Sequence, residues 1–287
     1  MSPILKLMRL HQYIKNFFVF APMLFSFQFS LEIFFEVTLI FLLFSLLASS
    51  IYIFNDLMDI NEDKKHPSKK FRPLASGTVS TKTAYTLIFL FSLLSLGGAF
   101  FLNQELFFIL SIYFFLNLAY SLKLKHIPLI DIFIIAVGFV LRLGAGNSAL
   151  DAPLSMWIVI MTFLLALFLA LAKRRDDVLL ASQGKETRKN IDGYNLEFIN
   201  ATMVLMSAVI VVSYILYCVS PEVTLRLHTR YLYITSFFVI LGILRYMQIT
   251  FVEEKSGSPT KVLLKDKFLQ ATILLWITSF YFIVKGV

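Results

Sequence analysis

Runs of about twenty apolar residues, broken by connections that hold most of the charge, recur along the chain. A helix needs roughly that length to cross a bilayer. Nine candidate spans can be read, at roughly 14–30, 32–54, 82–102, 104–121, 129–149, 153–172, 196–218, 230–250 and 267–285. Of the 287 residues, 58% are hydrophobic and 15% charged, with a mean hydropathy of +0.79. A soluble domain holds nearer a quarter charged residues. The expectation is an all-α membrane protein of nine transmembrane helices, a single transmembrane domain over 1–287. No small-residue cleavage site follows the first apolar run, so that run reads as a retained span. Residues 1–13 read as an interfacial helix, with Lys6, Arg9 and His11 among Ile4, Leu5, Leu7 and Met8.

The net charge of +8 could suggest nucleic acid, but its distribution argues against that. Basic residues gather in alternate connections, at 55–81, 122–128, 173–195 and 251–266, while the intervening ones hold Arg226 alone. By the positive-inside rule these four connections and the N-terminus face the cytoplasm, and the C-terminus lies outside. In a bacterium that means the inner membrane, crossed many times. Cys218, the single cysteine, excludes an internal disulfide and reads as a small buried hydrophobe.

Chemistry concentrates in the two longest connections, 55–81 and 173–195, which read as cytoplasmic catalytic loops. In the first, Asp56, Asp59 and Asp63 are spaced three and four apart, which on a helix puts all three carboxylates on one face. They repel one another unless a cation neutralises them. An all-oxygen donor set suits Mg²⁺, which commonly shares its shell with substrate phosphates. Asn55 precedes the cluster, and Lys69, Lys70 and Arg72 follow it as partners for phosphate oxygens. The competing reading is a solvated acidic helix end with a basic membrane flank.

Four further groups stand out. Tyr120, Lys123 and Lys125 end the fourth span, with Asp131 opening the fifth; the competing reading is an interfacial anchor. Lys173-Arg174-Arg175-Asp176-Asp177 ends the sixth span, as a phosphate site or a stop signal. Arg142 lies within a span, where arginine is costly and faces a cavity or a partner. Lys15 and Asn16 could reach inward from the first helix, and Arg188 and Tyr194 are weaker candidates of that kind.

The string Asn55-Asp56-x-x-Asp59-x-x-x-Asp63 with Arg72-Pro73-Leu74-x-x-Gly77 resembles the first aspartate motif of the UbiA superfamily of intramembrane prenyltransferases, and the likeness covers essentially the whole chain. The resemblance implies nine helices around a central cavity, Mg²⁺ on Asp56, Asp59 and Asp63, and Tyr120 with a lysine on the leaving diphosphate. The family spacing is Tyr-x-x-x-Lys, whereas here lysines fall three and five residues after Tyr120. The family's second aspartate motif is also altered: Lys173 stands near where its first acid is expected, and Asp176 and Asp177 are adjacent rather than four apart; direct phosphate binding is the reading there.

Gln12-x-x-Lys15-Asn16, the His66-Pro67-Ser68-Lys69 insert and the altered second motif resemble the decaprenyl-phosphate phosphoribosyltransferase branch. That branch implies transfer of 5-phosphoribose from 5-phosphoribosyl 1-diphosphate to a polyprenyl phosphate, with release of diphosphate. The expected catalytic residues are Asp56, Asp59, Asp63 and Lys125, with the three aspartates as metal ligands. Lys15, Asn16, Asn55, Lys69, Lys70, Arg72, Tyr120, Arg142, Lys173 and Arg174 are the expected substrate contacts. Partners are the two substrates and membrane lipids, without nucleic acid; a homo-oligomer is left open. The alternatives are an aromatic prenyltransferase using a polyprenyl diphosphate, and a transporter or lipid carrier without chemistry. A transporter gives no reason for three aspartates at the surface.

Overall fold

The computed structural model describes residues 2–66, 69–150, 153–183 and 191–286. The chain gathers into two compact units, Met1–Leu154 and Ser155–Val287.

The first unit holds α1 (Pro3–Met8), a 3-10 stretch (Leu10–Phe20), α2 (Ala21–Ser26), α3 (Leu31–Met58), α4 (Ile60–Lys65), α5 (Thr81–Leu102), α6 (Gln104–Leu122) and α7 (Ile130–Asn147). The second holds α8 (Met156–Ser182), α9 (Leu196–Val219), α10 (Pro221–Arg226), α11 (Ser236–Phe251), α12 (Pro259–Lys265) and α13 (Lys267–Lys285). Among the described residues eight helical segments are long and apolar enough to cross a membrane. The segment read as the first of nine spans is instead the Leu10–Phe20 stretch followed by α2. The wider rise of 3-10 geometry lets those 17 residues cover roughly 30 Å, still a bilayer's hydrocarbon depth. Pro22 falls in the first turn of α2, just after the 3-10 stretch ends.

Side-chain caps fix where the spanning helices begin. Ser30, Ser80, Asn103, Asn195 and Asp266 each accept a hydrogen bond from a first-turn N–H. Both connections read as catalytic loops are partly helical. Residues 55–58 end α3, α4 follows within the first, and residues 173–182 complete α8.

In the first unit α3 is the core helix, with Val37, Ile40, Phe44, Leu47 and Ala48 buried against α5, α6 and the 3-10 stretch. Small residues permit this closeness. A Cβ at Gly98 would lie 2.7 Å from a Leu43 methyl, and Ser95 Oγ donates to the Leu43 carbonyl at 2.7 Å. A second cluster, Leu7, Ile53, Leu57, Leu74, Val79 and Ala84, seats α1 and the turn after Arg72 on the end of α3. In the second unit α8 packs on α9 and α11 on α13. Outward apolar side chains such as Leu31, Phe101 and Phe237 are the surface that lipid covers.

Candidate active site

The aspartates do not share one helical face. α3 stops at Met58, and Asp59 takes φ −93°, ψ 5°, a turn-like conformation outside the α region. Its N–H donates to the Asn55 carbonyl at 3.0 Å, and its own carbonyl accepts from the Asp63 N–H at 2.8 Å to start α4. This break between the two helices sets Asp59 apart from the other two acids, which meet on one Arg72 nitrogen. Asp56 and Asp63 are both buried, at 2% and 3% exposure.

Each carboxylate meets a cation. Arg9 donates to Asp56. Arg72 Nη1 donates to Asp56 Oδ1 at 3.0 Å and to Asp63 Oδ2 at 2.7 Å, so one nitrogen bridges both acids. Asp59 turns elsewhere, accepting from Asn55 Nδ2 at 3.0 Å and Lys125 Nζ at 2.5 Å. Of the two lysines after Tyr120, Lys125 is therefore the one on the acidic cluster.

Local structure aims these cations. Arg72 opens the Arg-Pro-Leu-x-x-Gly segment, a compact turn in which the Ser76 N–H donates to the Arg72 carbonyl at 2.8 Å and Gly77 takes φ +76°. Buried Leu74 and Val79 anchor that turn. Arg9 ends α1 in the left-handed region and lies 5.4 Å from the Tyr52 ring centroid. Sequence reasoning left Arg9 out of the site, because its partner lies forty-seven residues away. It also missed Leu129. With φ +67° and the Ile130 N–H donating to the Pro128 carbonyl at 2.9 Å, Leu129 forms a strained γ-turn between Lys125 and Asp131.

Among the described residues no three His, Cys, Asp or Glu side chains converge as a metal-binding group. Asp56 and Asp63 do approach each other, with a guanidinium nitrogen standing between them where a cation belongs. Their hard oxygen donors suit Mg²⁺.

Other predicted residues are placed differently. Asn16 is buried; it donates to Ser45 Oγ at 3.0 Å and accepts from Arg142 Nε at 2.9 Å. Arg142 also donates to the Gly138 carbonyl at 2.7 Å and Tyr113 Oη at 3.0 Å, with the rings of Phe44, Tyr113 and Phe139 about it. Lys15 is half-buried beside them. Tyr120 is half-buried near the end of α6. Lys69 and Lys70 sit in a short 3-10 turn, Lys70 stacking on Phe71 at 5.2 Å. Pro67 and Ser68 of the insert lie outside the described residues.

In the second unit the basic run is largely structural. Arg174, 1% exposed, donates to Asp177 at 2.8 Å. Arg175 donates to Asn200 Oδ1 at 3.0 Å and the Thr250 carbonyl at 2.8 Å, tying α8 to α9 and α11. Tyr194 is buried near Phe198, and Arg188 lies outside the described residues.

The profile of the UbiA prenyltransferase family matches residues 17–271. The chain is 33% identical over 288 residues to the decaprenyl-phosphate phosphoribosyltransferase of Mycolicibacterium smegmatis, covering 96% of this chain and 90% of that protein. The enzyme of the same name from Corynebacterium glutamicum is 30% identical, with 95% of this chain and 84% of that protein covered. Among solved structures, a UbiA homologue from Archaeoglobus fulgidus bound to GPP and Mg²⁺ superposes with a TM-score of 0.72 at 22% identity, over 99% of this chain and all of that one.

Proposed function

The chain belongs to the UbiA prenyltransferase family, and on that premise we propose that it transfers 5-phosphoribose from 5-phosphoribosyl 1-diphosphate to a polyprenyl phosphate. It is a multi-pass membrane transferase. The observation that carries the finer reading is the cluster at the end of α3, in which three carboxylates and three cations interleave. Likeness to named phosphoribosyltransferases over nearly the whole chain supports it.

In the proposed reaction the C1–O bond to the diphosphate breaks and a phosphate oxygen of the lipid bonds to C1. The products are polyprenylphosphoryl 5-phosphoribose and diphosphate. The attacking oxygen is already anionic, so no general base has to take a proton. The difficulty lies in gathering anions and stabilising the leaving diphosphate, a task for fixed positive charge. Arg9, Arg72 and Lys125 supply that charge; Asn55 orients Asp59, which in turn holds Lys125. Asp56 and Asp63, with Asp59 nearby in sequence, would hold Mg²⁺, which when bound neutralises diphosphate oxygens. Lys69, Lys70 and Tyr120 belong to the proposed contact set around this cluster. On its own unit Lys173 is assigned a phosphate contact, whereas Arg174 is held by Asp177. The cluster and basic connections face the cytoplasm of a bacterial inner membrane, where a soluble donor reaches them.

The test is incubation of the protein in membranes with polyprenyl phosphate, Mg²⁺ and labelled 5-phosphoribosyl 1-diphosphate. Label should move into the lipid phase. Transfer from a prenyl diphosphate with none from the phosphoribosyl donor would replace this reading with prenyl transfer.

A further inference from the structure

Charge is balanced at the aspartate cluster and unbalanced deeper in the same unit. The N-terminal segment runs along α3, with Arg9 at Asp56, Tyr13 Oη 2.8 Å from Ser49 Oγ, and Asn16 at Ser45. From Asp56 to Ser45 is eleven residues, roughly 16 Å of helix rise. At that depth stand two cations. Arg142 is 4% exposed, and its three hydrogen bonds all go to neutral groups. Among the described residues no carboxylate pairs with it, and Lys15 Nζ has neither a hydrogen-bond nor an ion-pair partner. Arg142 reaches the chain next to Lys15, its Nε donating to Asn16 Oδ1 at 2.9 Å.

A buried cation without a counter-ion is costly, and a second, half-buried one beside it adds to that cost. The arrangement is nonetheless built: Asn16 and Tyr113 grip Arg142, and three rings enclose it. We propose that Lys15 and Arg142 form a second anion subsite, distinct from the aspartate cluster, which takes a phosphate monoester of a substrate. Lys15 touches the phosphate directly, while Arg142, its guanidinium already committed, adds fixed charge. The assignment rests on the phosphoribosyl-transfer reading, which supplies two such groups: the 5-phosphate of the donor and the phosphate of the lipid acceptor.

The test uses the full chain in detergent with EDTA, so that metal-dependent binding is silent. Thermal protection by inorganic phosphate, ribose 5-phosphate and farnesyl phosphate is titrated for wild type, Lys15→Met and Lys15→Arg. Lys15→Met should melt no lower than wild type without ligand, since it removes an unpaired charge; this shows that the variant folds. It should need at least tenfold more inorganic phosphate for equal protection, and Lys15→Arg should recover most of the loss. The monoester that loses protection in parallel identifies the source, donor or acceptor. Equal protection of Lys15→Met and wild type by all three ligands would overturn the subsite. Loss of phosphate protection in Lys15→Met, together with a wild type that transfers no phosphoribose, would keep the subsite and discard the reaction.

Discussion

Replacing Arg72 with Met asks whether Asp56 and Asp63 form a cation site or an ordinary ion pair. One guanidinium nitrogen bridges them at 3.0 and 2.7 Å, and both acids are nearly inaccessible. Asp56 keeps Arg9 in the variant, whereas among the described residues Arg72 is the cation paired with Asp63. Stranding one member of a buried pair costs about 3–5 kcal/mol. The Arg72 side chain is 27% exposed, so water takes part of its place and the cost falls to about 2–3 kcal/mol. At about 2–4 °C per kcal/mol for a chain of this size, the variant should melt about 5–10 °C below wild type in EDTA.

Mg²⁺ should then do more for the variant than for wild type, where it must displace the guanidinium first. A ligand at a hundred times its Kd contributes about 2.7 kcal/mol, enough to restore most of the lost melting temperature. The assay is thermal melting in detergent, with EDTA or saturating Mg²⁺. Two results refute the reasoning: a variant within 2 °C of wild type in EDTA, or a Mg²⁺ shift no larger in the variant than in wild type.

Asp56→Asn and Asp59→Asn should each lower phosphoribosyl transfer about 10²-fold or more, the scale of a lost electrostatic catalytic contribution, and retention of activity in both would sink the metal reading. Gly146→Ala should cost at least about 1–3 kcal/mol, because the new Cβ would lie 2.7 Å from the Val19 carbonyl carbon, backbone against backbone; an unchanged melting temperature would show that α7 and the Leu10–Phe20 stretch are not packed as described. The Arg245 guanidinium, helped by the Leu269 N–H, holds the Asp266 carboxyl below the usual carboxylate range. A depressed value stabilises the fold above the ordinary value of about 3.9 and is lost as pH falls through the folded one, so Asp266→Asn should flatten the melting curve's pH dependence below about pH 4 while keeping the helix cap.

How far the chain could be read beforehand depended on the range of the interaction. Spans were legible because hydropathy is local, and so was the acidic motif, since its residues are neighbours. The break at Asp59 was not, because the spacing of the acids does not show where the helix stops. The first span is not one regular α-helix but a 3-10 stretch and then α2, whose first turn holds Pro22; that proline is visible in the sequence but outweighed by the length of the apolar run. Arg9 on Asp56 and Asn16 on Arg142 were illegible because the partners lie 47 and 126 residues apart and meet only through packing. Arg175 read as a charge near a phosphate, yet it ties three helices together.

These long-range pairings also set the order in which charge can be exchanged. Three acids and three cations cancel at the end of α3, so Mg²⁺ entering between Asp56 and Asp63 brings excess positive charge and releases a guanidinium. That excess is stable only if an anion arrives with the metal, as a diphosphate would. Lys15 and Arg142 are already in excess before any ligand binds. On the proposed reading the first unit is organised around substrate anions, and stability given up at Lys15 is the form in which affinity for one of them is stored.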